Sequence, residues 1–306
     1  MPSTVIALGP KHEPVLVDAI ERGNATVGDL DKARGLVWAA GPADFPQLPE
    51  SIEWVQLSSA GIEEFFAAGV IDQHPDVQFT SAAAIFAPTV AEHALALLLA
   101  GVRYLPEQIL ADSWRQQEFL PHIGTLRGST VTIIGAGGIG RALIPMLAAL
   151  GAHVIAVSRS GRPVPGAVET LPVNRLGEIW SRTDHVVVAA PATPATKHLI
   201  GAEELAALRS TSWVINIARG SLIDTDALVD ALASNSIGGA GLDVTDPEPL
   251  PDGHPLWALP NAIVTPHDSN PPQRRVAAFA DHVAANVARF SSGQDLIAKV
   301  DRNSGY

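Results

Sequence analysis

The sequence predicts an α/β protein made of two doubly wound parallel-sheet domains. Short apolar runs rich in Val and Ile alternate with helical patterns along the whole chain of 306 residues, as strand-helix-strand units require. That length exceeds one compact core and suits two. A glycine-rich turn in the middle opens a second, longer series of strands.

The first series reads VIALG (Val5 to Gly9), GLVWAA (Gly35 to Ala40), WVQLSS (Trp54 to Ser59) and VQFTS (Val77 to Ser81). The second reads VTIIGA (Val131 to Ala136), HVIAVSR (His153 to Arg159), HVVVAA (His185 to Ala190), WVINIA (Trp213 to Ala218), GAGLDV (Gly239 to Val244) and AIVTPH (Ala262 to His267). Six strands in that order match a complete doubly wound nucleotide domain. TVAEHALALLLAGVRYL reads as a helix with one broad apolar face, and PPQRRVAAFADHVAANVARF as a second helix opened by prolines. These two helices are expected to join the domains. The expected division is a domain of residues 1–98 plus 271–306, with residues 99–270 forming the nucleotide domain.

Composition narrows the function. Charged residues are 17% of the chain and the net charge is −12, so neither a nucleic-acid backbone nor an anionic membrane is an expected partner. With no cysteine, disulfides, thiolate metal sites and cysteine nucleophiles are excluded. The N-terminal stretch lacks a basic region followed by a long apolar core, and ALALLLAGV is too short to span a bilayer. The expectation is a cytoplasmic protein. The histidines show no metal-ligand spacing, and His93 in AEHALA reads as a helix surface or domain seam, so no metal is expected.

In VTIIGAGGIGRALIPMLAALGA, Gly135, Gly137 and Gly140 form G-x-G-x-x-G between a strand and a helix. Gly135 permits the tight turn, Gly137 lets the backbone approach a pyrophosphate, and Gly140 allows the helix to pack closely on the strand. The helix offers free N–H groups and its positive dipole end to the phosphates. Ile139, Leu143, Leu147 and Leu150 give it an apolar stripe.

The segments GTLRGSTVTIIGAGGIG, INIARGSLIDTDAL, GAGLDVTDPEPL and HPLWALPNAIVTPH occur in the order and spacing of D-2-hydroxyacid dehydrogenases, and the chain resembles that family, in particular its glyoxylate/hydroxypyruvate reductase-like members. The likeness covers most of the chain. It implies a Rossmann nucleotide domain inserted in a flavodoxin-like substrate domain, with the active cleft between them and a homodimeric assembly. YLPEQILADSWRQQEFLPH reads as a docking arm. VQLSSAGIEEF resembles the family's substrate-carboxylate loop, where the backbone N–H groups of Ala60 and Gly61 can bind an anion.

A 2-keto acid reductase needs a cation at the carboxylate and carbonyl, a proton donor at the carbonyl oxygen and a hydride source at fixed geometry. Arg219 follows a strand, where ligands of open sheets bind, and its planar fork suits a carboxylate. His267 ends the last strand, and histidine exchanges a proton near neutral pH. By sequence alone Asp243, Asp246 and Glu248 compete to hold that histidine. The resemblance assigns the role to Glu248, and assigns Asp243 to the nicotinamide carboxamide. It also implies cofactor contacts at Gly138, Ile139, Pro191, Thr193, Ala218 and His267. Asp268 and Asn270 depart from the small or neutral residues that usually follow the histidine in this family.

The strand VIAVSRSGR ends in Ser158 and Arg159, where most dinucleotide sites carry an acid. An acid there would bind the ribose hydroxyls and repel a 2′-phosphate, whereas an arginine accommodates that phosphate. With Ser160 and Arg162 close by, NADP(H) is the expected cofactor and NAD(H) the alternative. The expected activity is hydride transfer between NADP(H) and a small 2-keto acid of the glyoxylate or hydroxypyruvate type. A non-catalytic dinucleotide-sensing regulator on the same fold is the competing expectation.

Overall fold

The computed structural model describes residues 4–83 and 85–302. The chain divides into two compact units, Met1–Phe86 with Asn270–Tyr306, and Ala87–Ser269. Its strands are β1 (Thr4–Gly9), β2 (Ala25–Val27), β3 (Gly35–Trp38), β4 (Trp54–Leu57), β5 (Gln78–Thr80), β6 (Thr130–Ile134), β7 (His153–Ser158), β8 (Glu169–Pro172), β9 (His185–Val188), β10 (Trp213–Asn216), β11 (Gly239–Leu242) and β12 (Ala262–Val264). Its helices are α1 (Pro14–Arg22), α2 (Glu63–Ala67), α3 (Ala87–Val102), α4 (Leu105–Ile109), α5 (Gln116–Phe119), α6 (Gly138–Ala149), α7 (Ala202–Ala207), α8 (Thr225–Ala233) and α9 (Pro272–Ser291). None is long and apolar enough to cross a membrane.

The first unit holds a parallel sheet in the order β2-β1-β3-β4-β5. Pro14 fixes the first turn of α1, and Leu16, Ala19 and Ile20, at helical spacing, bury one face. That face meets Phe279, Val283 and Val287 of α9 in one core cluster, and burying each of these large side chains contributes about 1.5–3 kcal/mol. A polar network lies in the same unit. Asn286 donates to Gln56 Oε1 at 2.8 Å, Gln56 donates to the carbonyl oxygens of Leu57 and Ser81, and the His282 ring lies 3.1 Å from the Ser81 oxygen. Every partner is buried, so removing one would strand another. The network fixes the ends of β4 and β5, and the loops that leave them are joined by the hydrogen bond from Ala82 N–H to the Ser59 oxygen.

The second unit holds a parallel sheet in the order β12-β11-β10-β9-β6-β7-β8. Strand order reverses between β6 and β9, and a switch point of this kind leaves a crevice beyond the strands' carboxyl ends. Buried Leu143, Ile144 and Leu147 anchor α6, whereas Leu150 is exposed at its C-cap and lies outside the expected stripe.

Two strands were not legible. β2 has only three residues, and β8, ETLP, carries a proline that is tolerated because it forms the sheet edge. The second sheet therefore has seven strands rather than the expected six. The unit boundary falls at Phe86/Ala87 rather than at 98/99, because α3 packs along its length on α6, β10 and β11. Residues 1–3 and 303–306, part of the expected first domain, lie outside the described residues.

Candidate active site

The glycine turn follows β6. Gly135 has a φ of +105°, and a Cβ there would lie 2.4 Å from the Ala190 nitrogen, so both backbone conformation and close approach demand glycine. A Cβ on Gly140 would lie 2.5 Å from the Gly135 oxygen, which is the close packing of helix on turn. Gly137 differs. A Cβ there would meet nothing within 4 Å, so the space before the first turn of α6 is left open. That open cradle, facing the helix's free N–H groups, fits a pyrophosphate. Gly138 and Ile139 form the helix's first turn.

Ser158 ends β7 and its hydroxyl accepts the Gly161 N–H at 3.1 Å. Arg162 donates from its backbone and its Nε to the Ser160 hydroxyl. Arg159, Ser160 and Arg162 are exposed. Thr193 heads a short turn in which its N–H donates to Thr196 Oγ1, while Thr196 donates to the Pro191 oxygen. Pro191 and Thr193 therefore have a turn role of their own.

Three loops converge at the carboxyl ends of β10, β11 and β12. After β10, buried Asn216 donates to the Arg219 carbonyl oxygen at 2.8 Å and accepts the Ala218 N–H at 3.1 Å, clamping the turn that presents the half-buried Arg219. A Cβ on Gly220 would lie 1.9 Å from the Thr245 oxygen, so glycine lets this loop lie against the one after β11. There the Thr245 N–H points to Glu248 Oε2 at 3.4 Å. Glu248 Oε1 lies 2.6 Å from Nδ1 of His267, beyond β12. With the carboxylate as acceptor, Nδ1 carries the proton of that contact, which leaves Nε2 to exchange one. Both side chains are about half exposed.

Asp243 is 1% exposed and its oxygens bind the loop of His267. Its carbonyl accepts the His267 N–H, Oδ1 accepts Asp268 N–H at 3.1 Å, and Oδ2 accepts Ser269 N–H at 3.3 Å. Of the three competing acids, Glu248 holds the His267 ring, Asp243 holds its backbone, and Asp246 is exposed, accepting the Thr225 hydroxyl at its carbonyl. Ala60 and Gly61, the expected carboxylate loop, follow β4 in the first unit, Ala60 exposed and Gly61 half-buried.

Sequence reasoning passed over Asn216 and Thr265, and took His93 for a helix surface or domain seam. His93 on α3 lies 2.9 Å from Thr265 Oγ1 and 3.4 Å from Asp243 Oδ1, and His93, Asp243 and Asp268 form a group whose ligand atoms lie within 4.8 Å of one another. A buried polar residue at a strand end, as in VINIARG, was the available signal for Asn216; a histidine on the apolar α3 was the signal for His93.

The model of the D-isomer specific 2-hydroxyacid dehydrogenase, NAD binding domain, matches residues 93–269. The chain belongs to the D-isomer specific 2-hydroxyacid dehydrogenase family. Like other members of the family it is an oxidoreductase that moves a hydride between a nicotinamide cofactor and 2-hydroxy or 2-keto acids. It is 38% identical over 289 residues, 93% of each chain, to an uncharacterized protein in the proB 3′ region of Corynebacterium melassecola. It is 34% identical over 254 residues, 78% of this chain and 72% of the other, to the glyoxylate reductase of Thermococcus gammatolerans. Among solved structures, the NADPH-dependent glyoxylate/hydroxypyruvate reductase of Sinorhizobium meliloti, in complex with NADP and sulfate, superimposes with a TM-score of 0.82 at 28% identity, covering 99% of this chain and 100% of that one. The chain spans 50% of the length of the D-3-phosphoglycerate dehydrogenase of Mycobacterium tuberculosis that it also matches.

Proposed function

We propose that this dehydrogenase reduces a small 2-keto acid of the glyoxylate or hydroxypyruvate type, reversibly, with NADPH as the preferred cofactor and NADH as the alternative. The observation that carries the reading is a histidine held by a carboxylate at Nδ1, with Nε2 left for proton exchange, beyond the last strand of the nucleotide-binding sheet.

When bound, the cofactor supplies the hydride. His267 gives a proton from Nε2 to the developing alkoxide and takes it back in oxidation, while Glu248 orients the ring and balances its charge. Arg219 pairs its guanidinium with the substrate carboxylate and polarises the carbonyl. The Ala60 and Gly61 N–H groups bind carboxylate. Gly135, Gly137, Gly138, Ile139 and Gly140 hold the pyrophosphate, Asp243 the carboxamide, and Pro191, Thr193 and Ala218 line the dinucleotide. Ser158 removes the repulsion an acid would exert on a 2′-phosphate, and Arg159, Ser160 and Arg162 supply donors to it. The S. meliloti reductase, with its NADP, supports that preference by likeness.

The working form in this reading is a homodimer. Leu105, Ile109, Leu256, Trp257 and Val264 line a shallow apolar cleft of about 420 Å³, and Leu110 and Trp114 beyond it are 82% and 90% exposed. Apolar exposure on that scale marks a contact surface. A cytoplasmic location accompanies this reading. Turnover measured with a panel of 2-keto acids and both reduced cofactors tests it, and a chain that binds NADPH but turns over none of them would instead be the dinucleotide-sensing regulator.

A further inference from the structure

His267 stands in the left-handed region, with φ +54°. A side-chain-bearing residue held there is strained and persists only where its surroundings over-determine it. The constraint comes from the main-chain oxygens of Asp243 and Thr265, which share the His267 N–H, and from the Asp243 carboxylate, which accepts the N–H groups of Asp268 and Ser269 that follow it.

Thr265 Oγ1 donates to Asp243 Oδ1 at 2.7 Å. Its proton is thereby committed, so the contact of 2.9 Å to His93 Nε2 requires the ring nitrogen to donate. This places a proton on His93 Nε2 and yields a directed chain from α3 through Thr265 to Asp243. A carboxylate offers about four lone-pair sites. Among the described residues, Oδ1 accepts from Thr265 and Asp268, with His93 Nε2 3.4 Å away, and Oδ2 accepts from Ser269. The Thr265 hydroxyl contacts both ring and carboxylate, which are themselves 3.4 Å apart, so His93, Thr265 and Asp243 read as one hydrogen-bonded group.

We propose that His93 and Thr265 are positioning residues for the proton-transfer step: they aim Asp243, and Asp243 in turn holds the His267 backbone in its left-handed conformation. A partly buried chain of this kind, ending on the buried Asp243, is cooperative, each donor polarising the next. The inference rests on His267 being the proton donor.

The test compares Thr265→Val with Thr265→Ser, and His93→Leu with His93→Gln, in the intact protein, with His267→Ala assayed beside them. Valine keeps the shape of threonine without its hydroxyl, and glutamine keeps an N–H donor at similar reach. In the cofactor-free protein, amide hydrogen exchange at Asp268 and Ser269 should be faster in the Val and Leu variants and restored in the Ser and Gln variants. In turnover, the Val and Leu variants should lose roughly tenfold in kcat, since a displaced reacting group costs up to about 10²-fold, with KM for the keto acid held within about twofold. Their solvent isotope effect on kcat should rise as proton transfer slows. Unchanged exchange or unchanged kcat in Thr265→Val, with His267→Ala inactive, overturns the inference alone. Near-normal turnover in His267→Ala overturns the proton-donor reading beneath it.

Discussion

Nδ1 of His267 lies 2.6 Å from Oε1 of Glu248, across the loops that leave β12 and β11. The pairing separates the roles of the two ring nitrogens. His267→Ala should lower kcat by about 10² to 10⁴, the scale of general acid-base groups, while cofactor affinity barely changes. Glu248→Gln keeps the shape and loses the charge, worth on the order of 1 kcal/mol in a charge-assisted hydrogen bond, so kcat should fall by roughly five- to tenfold. Steady-state kinetics of the purified variants decide both, and near-normal turnover in His267→Ala removes the residue from the mechanism.

Arg219→Lys should keep the positive charge and lose the planar fork. The expected loss in kcat/KM is equivalent to at least about 2 kcal/mol, the scale of a hydrogen bond to a charged group. Asn216 clamps the backbone of this turn, and the Arg219 guanidinium adds a hydrogen bond of its own to the Ala218 oxygen at 2.7 Å. A lysine variant with parental kinetics would refute bidentate binding.

The legibility of this chain in its sequence follows period and length. Strands buried on both faces, such as VTII and HVVV, read as unbroken apolar runs, and each was recognised although the runs continue past the last paired residue into the loops. The proline-bearing β8 and the three-residue β2 carry no such signal. Among the three acids of the DVTDPEP segment, spacing alone did not separate a ring partner from a backbone anchor, because the distinction depends on how the loop folds back on His267. The His93 to Asp243 chain spans residues far apart in sequence, and no local pattern encodes it.

Gly137 and Gly140 should respond in opposite ways to alanine. A Cβ at 140 meets the Gly135 oxygen at 2.5 Å, so Gly140→Ala should destabilise the protein by about 1–3 kcal/mol through overpacking. A Cβ at 137 meets nothing, so Gly137→Ala should fold with parental stability yet bind the dinucleotide more weakly. Thermal unfolding and cofactor titration by fluorescence separate the two; parental affinity in Gly137→Ala would refute the cradle.

His185 on β9 accepts the Trp213 N–H at Nδ1, and burial pushes its pKa from 6.5 down to about 4. Between those values the unfolded chain binds a proton that the folded chain refuses, so stability is full above pH 6.5 and falls as pH drops toward 4. The loss attributable to this group is about 3 kcal/mol. In His185→Asn, an oxygen can take over the acceptor role without titrating. Denaturant midpoints across that window should therefore fall less steeply in the variant; identical slopes would contradict the assignment.

Cofactor choice at the end of β7 tests the account most directly. Ser158 and Arg159 stand where an acid would repel a 2′-phosphate, and one or two effective contacts to that phosphate would give NADPH a preference of about ten- to a thousandfold, since each 1.4 kcal/mol is tenfold. The measurement is kcat/KM for glyoxylate and hydroxypyruvate reduction with NADPH and with NADH, at one fixed ionic strength because phosphate contacts are screened by salt. It is made on the parent protein and on Ser158→Asp combined with Arg159→Ala. The expected result is a strong NADPH preference in the parent that collapses or reverses in the double variant. Equal use of both cofactors by the parent, or a double variant that keeps its NADPH preference, would contradict it.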